Sequence, residues 1–503
     1  MKFIIFLFLL AACTSSTPPQ QLRISFNNHP ATLDPRKSGD FTSSTLICLI
    51  YEGLTRCDAN GSFELALAEA VEVSADGKLY TFHLRPSVWT DGTPVTAFDF
   101  ENSWKTILEP TFPSLCAYLL YPIKNGEKAR MGTVPLSEVG IKALDELTLQ
   151  VELERPTPYF LSLTAFPLFL PFKESASNGP FRIDRIVPNG EIALVKNERF
   201  WNPKGVFLDE IHIGIIPDEM TAFHLFERGE LDWLGGPFSP IPPDALESLQ
   251  KRGELHFIPM AATTFCTFNT ETFPFQNENL RKAFSYAIDR AEIVDHVALC
   301  GQLLATRPLP PSLFNGKNKA LFPTFDPEMA REYYKKAVDE LGEIGPLTLF
   351  YKPGQTEKRL ALALQKQWKE VLGVSVALES IDVKTHMQNL QKREYQLSLA
   401  SWIAQFHDPI NILDRFKSRK NVKNYPGWEN QEFIHLLDAA SETSDELKRM
   451  ELLERAEALF AEEMAIAPIY HWSNPSLNGK RLSKMATTCS GGILFERAHL
   501  KKL

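Results

Sequence analysis

Four catalytic signatures are missing from this chain of 503 residues. It has no HExxH helix for zinc hydrolysis, no GxSxG nucleophile elbow, no Walker A loop and no GxGxxG turn. No nucleophile is marked beside a base either, so the chain is expected not to be an enzyme and to carry no cofactor. The eleven histidines are dispersed. His224 and Glu227, one helical turn apart, read as a solvated face rather than half a metal site, and His407 and His471 stand isolated. Basic charge is in short supply: 53 Lys and Arg against 62 Asp and Glu leave a net charge of −9. A phosphate backbone needs a basic stripe, so nucleic acid is excluded as a partner. Charge blocks and low-complexity runs are also absent, and no internal run is long and apolar enough to span a bilayer.

What is there begins at the N-terminus. Lys2 precedes FIIFLFLL (3–10), an apolar run too short to cross a membrane, and then Leu10-Ala11-Ala12-Cys13 and the polar stretch TSSTPPQQ. This pattern resembles a bacterial lipoprotein signal, residues 1–13, with lipid (palmitate among the chains) on Cys13 and residues 14–21 as a tether. The mature chain is then expected to be anchored outside the cytoplasm, on a periplasmic or extracytoplasmic face. The alternative is an ordinary secretory signal with an accidental cysteine. Of the seven cysteines, six remain: Cys48, Cys57, Cys116, Cys266, Cys300 and Cys489. They show no CxxC and no zinc spacing. Cys48 and Cys57 are close enough in sequence to pair, or all six are buried thiols.

Length and composition, 44% hydrophobic and 23% charged, fit two or three globular domains. Strands are predicted at 22–26, 80–84, 148–153, 179–187, 191–197 and 210–216. Thr96 and Asp99 form a capping box ahead of a helix with Phe100, Trp104, Ile107 and Leu108 on its apolar stripe. Asn277 or Asn279 caps a helix carrying Leu280, Phe284 and Ile288. Farther on, LTLFYK (347–352), a helix capped by Thr356 and closed by Gly373, and VSVALES follow as strand, helix and strand. That order indicates an α/β domain. YQLSLASW (395–402) alternates like a half-buried strand.

Seven segments in order carry a resemblance over nearly the whole mature chain. They are residues 33–61, 84–105 (with RPSVWTDGTP), 179–202, LRKAFSYAIDR (280–290), SWIAQFHDP (401–409), NYPGWENQEF (424–433) and APIYHW (467–472). Together they resemble the extracytoplasmic solute-binding proteins of ABC peptide importers, the oligopeptide/dipeptide/nickel-binding family. The resemblance implies an α/β fold of two lobes, of the periplasmic-binding-protein type II with three domains, closing about a hinge of two strands. Lobe I would combine 22–55, 172–265 and 473–503, with 56–171 as an accessory domain on it, and 266–472 would form lobe II. It implies capture of an oligopeptide by a monomer and delivery to ABC permease and ATPase subunits. Murein peptide, a nickel chelate or haem are alternative solutes, and an anchored hydrolase is the remote one.

In this family the peptide adds as a strand through main-chain hydrogen bonds, with its side chains in hydrated pockets. The resemblance assigns one side of the site to Ser401, Trp402 and Ile403 and the other to Asp40, Phe41 and Thr42, with Tyr118 and Tyr121 reaching in from the accessory domain. Core packing is the competing reading for Trp402 and for both tyrosines. The family pattern places an acid three residues after this Trp, where it binds the ligand's α-ammonium, and here that position is Gln405. An amide supplies no charge. Asp408 or Asp40 takes over that role, or the ligand presents no free amine, or the solute is not an ordinary peptide. Asp408 before Pro409 also reads as the cap of helix INILDRF. The basic run Lys392, Arg393, Arg415, Lys417, Arg419, Lys420 and Lys423 is either a solvated face or a receiver of ligand carboxylates.

Overall fold

The computed structural model describes residues 19–58, 63–298, 301–314, 319–443, 445–488 and 491–501; the lipoprotein-like signal with Cys13, as well as Cys300 and Cys489, lies outside them. Among the described residues no helix is long and apolar enough to cross a membrane.

The strand Gln21–Phe26 buries Leu22, Ile24 and Phe26 on one face and runs parallel to Glu210–Ile215. Glu191–Lys196 and Phe181–Ile186 continue this sheet in antiparallel fashion. A second four-stranded sheet is built from Ala68–Val73, Leu79–Leu84, Thr148–Glu152 and Ile141–Ala143, all antiparallel. Helix Ala97–Ile107 lays Phe100, Trp104 and Ile107 into the interior. Its start is fixed by the Asp99 carboxylate, which accepts the Thr96 N–H at 2.7 Å and the Thr96 hydroxyl at 2.9 Å. One apolar core runs through both sheets, from Leu22 and Ile213 through Phe82 and Trp104 to Phe495. The two sheets therefore share a single hydrophobic body rather than two separate ones.

The third sheet has seven strands. At its centre are two long antiparallel strands, His256–Phe268 and Ile466–Asn478. Their outer halves pair 256–259 with 473–476, beside Trp233–Gly235; their inner halves pair 263–267 with 466–471. The register slips between Pro259 and Thr263 and again between Thr264 and Phe265. Pro259 offers no N–H to the ladder, and such irregularities bend a strand, so the bend falls where the chain passes from one half of the molecule to the other.

Beyond the inner half, the sheet continues through Leu397–Ile403, Leu347–Tyr351 and Val376–Ser380. The last two are parallel and joined by helix Gln355–Leu372, which buries Leu360, Leu364 and Trp368. Gly354 occupies the N-cap rather than the expected Thr356, and Gly373 ends the helix at φ 72°, a conformation open to glycine without strain. Asn277 caps its helix through the Leu280 N–H. The Leu397–Ile403 strand is covered on both faces, with Leu397 and Leu399 against Leu349 and Ile469, and Ala400 and Trp402 against Phe416 and Phe460. Its alternation does not mark a solvent face, because it lies inside a sheet sandwiched by helices.

Candidate functional site

The Leu397–Ile403 strand is fully paired on one edge and open on the other. Against His256–Phe268 it pairs from Leu397 to Ile403 without interruption. On its other edge, the ladder to Leu347–Tyr351 takes in only Leu397 and Ser398. From Leu399 to Ile403 that edge has no strand partner among the described residues. A backbone edge of this kind is a template for one more strand.

The strand runs out into a cavity of about 400 Å³. One wall is the loop and first turns that carry Gly39, Asp40, Phe41 and Ser44. Cys116 and Phe166 add to the lining, and another part of it is Ile403 to His407. Asp40 caps helix Phe41–Ile50 by accepting the Ser43 N–H at 2.8 Å, which fixes this corner. A Cβ on Gly39 would lie 2.7 Å from Leu115 Cδ1, so a larger residue there would displace the exposed Leu115 side chain.

Two contacts join the segments carrying Tyr118 and Tyr159 to residues 405 and 406 at the cavity's edge. The Tyr118 hydroxyl donates to Gln405 Oε1. Tyr159 stacks on Phe406, with ring centroids 5.1 Å apart and planes at 8°. The Gln405 N–H is held by Asn411 Oδ1 at 3.2 Å. His407 donates a ring N–H to the Ser312 carbonyl at 2.6 Å, which occupies it locally.

The residues expected from the sequence divide into three groups. Asp40, Phe41, Ile403 and Gln405 line the cavity. Tyr118 touches Gln405 at its margin, while Thr42 and Ser401 stand off its walls, Ser401 with its hydroxyl 2.9 Å from that of Thr264. Trp402 and Asp408 are not among the residues that line the cavity. Trp402 is 4% exposed and packs between Phe265 and Phe416, so core packing takes it. Asp408 is buried, accepts the Ile410 N–H at 2.9 Å and takes a bidentate pair of bonds from Arg449 at 2.7 and 2.8 Å. It turns away from position 405 and supplies no acid there. Asp40 alone of the two replacement acids faces the cavity.

Other residues at the site escaped sequence reasoning. Glu52 and Glu496 line the cavity from the side opposite Gln405's chain segment. Burial, opposed by Arg56 and by the Trp201 indole N–H, pushes Glu52 up to about 7. Burial raises Glu496 as well. Glu52 lies in the IYEGL text, where nothing but the neighbouring apolar residues hinted at burial. Cys48 and Cys57 line the cavity as free thiols. His471 is buried with its Nδ1 2.9 Å from the Thr263 hydroxyl and is pushed down to about 3 by burial and by Arg307. Among the described residues no group of three or more His, Cys, Asp or Glu is placed to hold a metal ion.

Comparison with known proteins gives a consistent result. Residues 62–424 match the family described as bacterial extracellular solute-binding proteins, family 5 middle. The oligopeptide-binding protein OppA of Bacillus subtilis is 36% identical over 504 residues, covering 95% of this chain and 92% of that protein. The unliganded open form of the periplasmic murein tripeptide binding protein MppA superposes with a TM-score of 0.83 at 25% identity, covering 96% and 98% of the two chains. Listeria monocytogenes OppA bound to peptide gives 0.74 at 26% identity, over 97% and 100%.

Proposed function

The chain belongs to the family 5 bacterial extracellular solute-binding proteins, and from that premise we propose that it captures oligopeptides between its two halves and delivers them to an ABC transporter. The observation that carries the reading is the open edge of the Leu397–Ile403 strand from Leu399 onward, leading into the cavity. A peptide laid there makes main-chain hydrogen bonds that every sequence supplies, and the roomy cavity takes varied side chains. The two long strands with their broken register serve as the hinge. Asp40, Phe41, Ile403 and Gln405 face the ligand, Tyr118 closes over it, and Ser401 contributes its backbone. The chain performs no chemistry of its own; ATP hydrolysis belongs to the partner subunits. It acts as a monomer, held to the membrane by lipid on Cys13.

The test is isothermal titration of the purified chain with alanine peptides of three to six residues, beside analogues N-methylated at alternate amides. Micromolar or tighter binding that is lost on methylation at every second position supports strand addition. Absence of binding to any peptide overturns the reading. Replacing Cys13 with Ser and following the protein from the membrane to the soluble fraction tests the anchor.

A further inference from the structure

The structure separates the basic run near Gln405 into cations with partners and cations without. Arg393 pairs with Glu271 at 2.8 Å. Lys417 pairs with Asp438 at 2.5 Å and lies 3.7 Å from Asp414. Arg419 and Lys420 are exposed. Two residues break this pattern. The Arg415 guanidinium donates only to neutral acceptors: the Asn411 carbonyl at 3.2 Å, Asn411 Oδ1 at 3.4 Å and the Ile403 carbonyl at 3.4 Å. Lys423 holds its ammonium 4.2 Å from the centre of the Tyr118 ring. Among the described residues neither one has a carboxylate partner.

These two cations meet at one place. Arg415 reaches the carbonyl of Ile403, the last residue of the open strand edge and a wall of the cavity. Lys423 covers Tyr118, whose hydroxyl binds Gln405. Burial and the charge of Arg415, opposed by Cys116, lower Lys423 to about 8. Arg415 is likewise lowered by burial. Two like charges brought together out of water are costly unless an anion offsets them. Position 405 contributes to this arrangement: an acid there would offset one of the two charges, whereas the amide offsets neither.

We infer that Arg415 and Lys423, beside Gln405, receive a carboxylate of the bound peptide, so that the protein selects peptides carrying negative charge at the end lying against residue 405. The carboxylate comes from an acidic side chain or from the peptide's C-terminus. This inference rests on the peptide-capture reading and names the ligand class of that same site. The carboxylate takes charge-assisted hydrogen bonds from the guanidinium and the ammonium.

The experiment is isothermal titration of the chain with pentaalanine, with the five single-Glu and five single-Lys pentapeptides, and with pentaalanine amide, at low and high salt. A preference of tenfold or more for Glu over Lys at one position, reduced by salt, is expected if a side chain supplies the charge. A tenfold loss with the C-terminal amide assigns it to the C-terminus. Lys423→Gln should lower whichever preference appears at least threefold, and Gln405→Glu should weaken it by a similar factor. Equal affinity for Glu, Lys and amide peptides overturns this inference while leaving peptide capture standing. A preference indifferent to both Lys423→Gln and Gln405→Glu overturns it too. No binding to any of these peptides overturns peptide capture itself, and this inference with it.

Discussion

The Tyr118 hydroxyl donates to the side-chain carbonyl of Gln405, a bond between residues 287 positions apart at the cavity's edge. Together with the Tyr159–Phe406 stack it forms a polar and aromatic latch at the cavity's edge. A neutral hydrogen bond is worth about 1 kcal/mol net. Tyr118→Phe should therefore shift the balance between closed and open forms about fivefold toward open. Small-angle scattering of the ligand-free protein should report a larger radius of gyration; an unchanged one would show that this bond does not hold the halves together.

Gln405 leaves a ligand's ammonium without a formal countercharge. Hydrogen bonds to charged groups contribute about 1.5–3 kcal/mol, against about 1 kcal/mol for neutral ones. N-acetylation of a peptide should change its affinity for the native protein by no more than about threefold. In Gln405→Asp the free-amine form should be preferred by about tenfold or more. Calorimetry on the four combinations decides it, and a strong native preference lost on acetylation would refute neutral recognition at this position.

The Asp408–Arg449 pair, both residues buried and joined by two hydrogen bonds, sets the loop that follows Gln405. Removing one partner leaves a buried charge uncompensated, at a cost of about 3–5 kcal/mol. Arg449→Met should lower the unfolding free energy obtained from urea titration by that amount. Asp408→Asn combined with Arg449→Met should recover part of it. A loss below about 1 kcal/mol in the single variant would show that water reaches Asp408.

Glu52 carries a pH signature. Its carboxyl is raised by burial from 4.5 to about 7 in the folded protein. The folded state thus holds a proton that the unfolded chain has released, so this group's contribution is complete below 4.5 and is lost as pH rises through 7. At about 1.4 kcal/mol for each pH interval of one, the window is worth about 3 kcal/mol. Glu52→Gln should flatten the fall in melting temperature between pH 5 and 8. A slope identical to that of the native protein would assign the pH dependence elsewhere, with Glu496 the first group to replace.

Local rules located most elements. The Thr96–Asp99 box, the Asn277 cap and the Gly373 stop act within one turn of the chain, and their chemistry is written in adjacent residues. Thr356 failed as a cap because Gly354, two residues earlier, already ends the extended backbone and opens the helix. The alternation in 395–402 misled about exposure, since helices cover both faces of that sheet. Asp40, Phe41, Ile403 and Gln405, named through a family resemblance, line the cavity. Which neighbours bury Trp402 and pair Asp408 was not legible, because Phe416 and Arg449 are brought to them by folding.

By itself the sequence determined the class of this protein: an acidic chain with no catalytic motif, family text in order, and a neutral residue where an acid is expected. Each of these is a property of residue identity or short spacing. Only the tertiary structure decided which charges have partners. Seven basic residues near Gln405 look equivalent in the sequence, yet folding brings Glu271 to Arg393 and Asp438 to Lys417, and leaves Arg415 and Lys423 together at the end of an open strand. Charge pairing is set by distances of a few ångströms between segments that are far apart along the chain, and no local pattern encodes those distances.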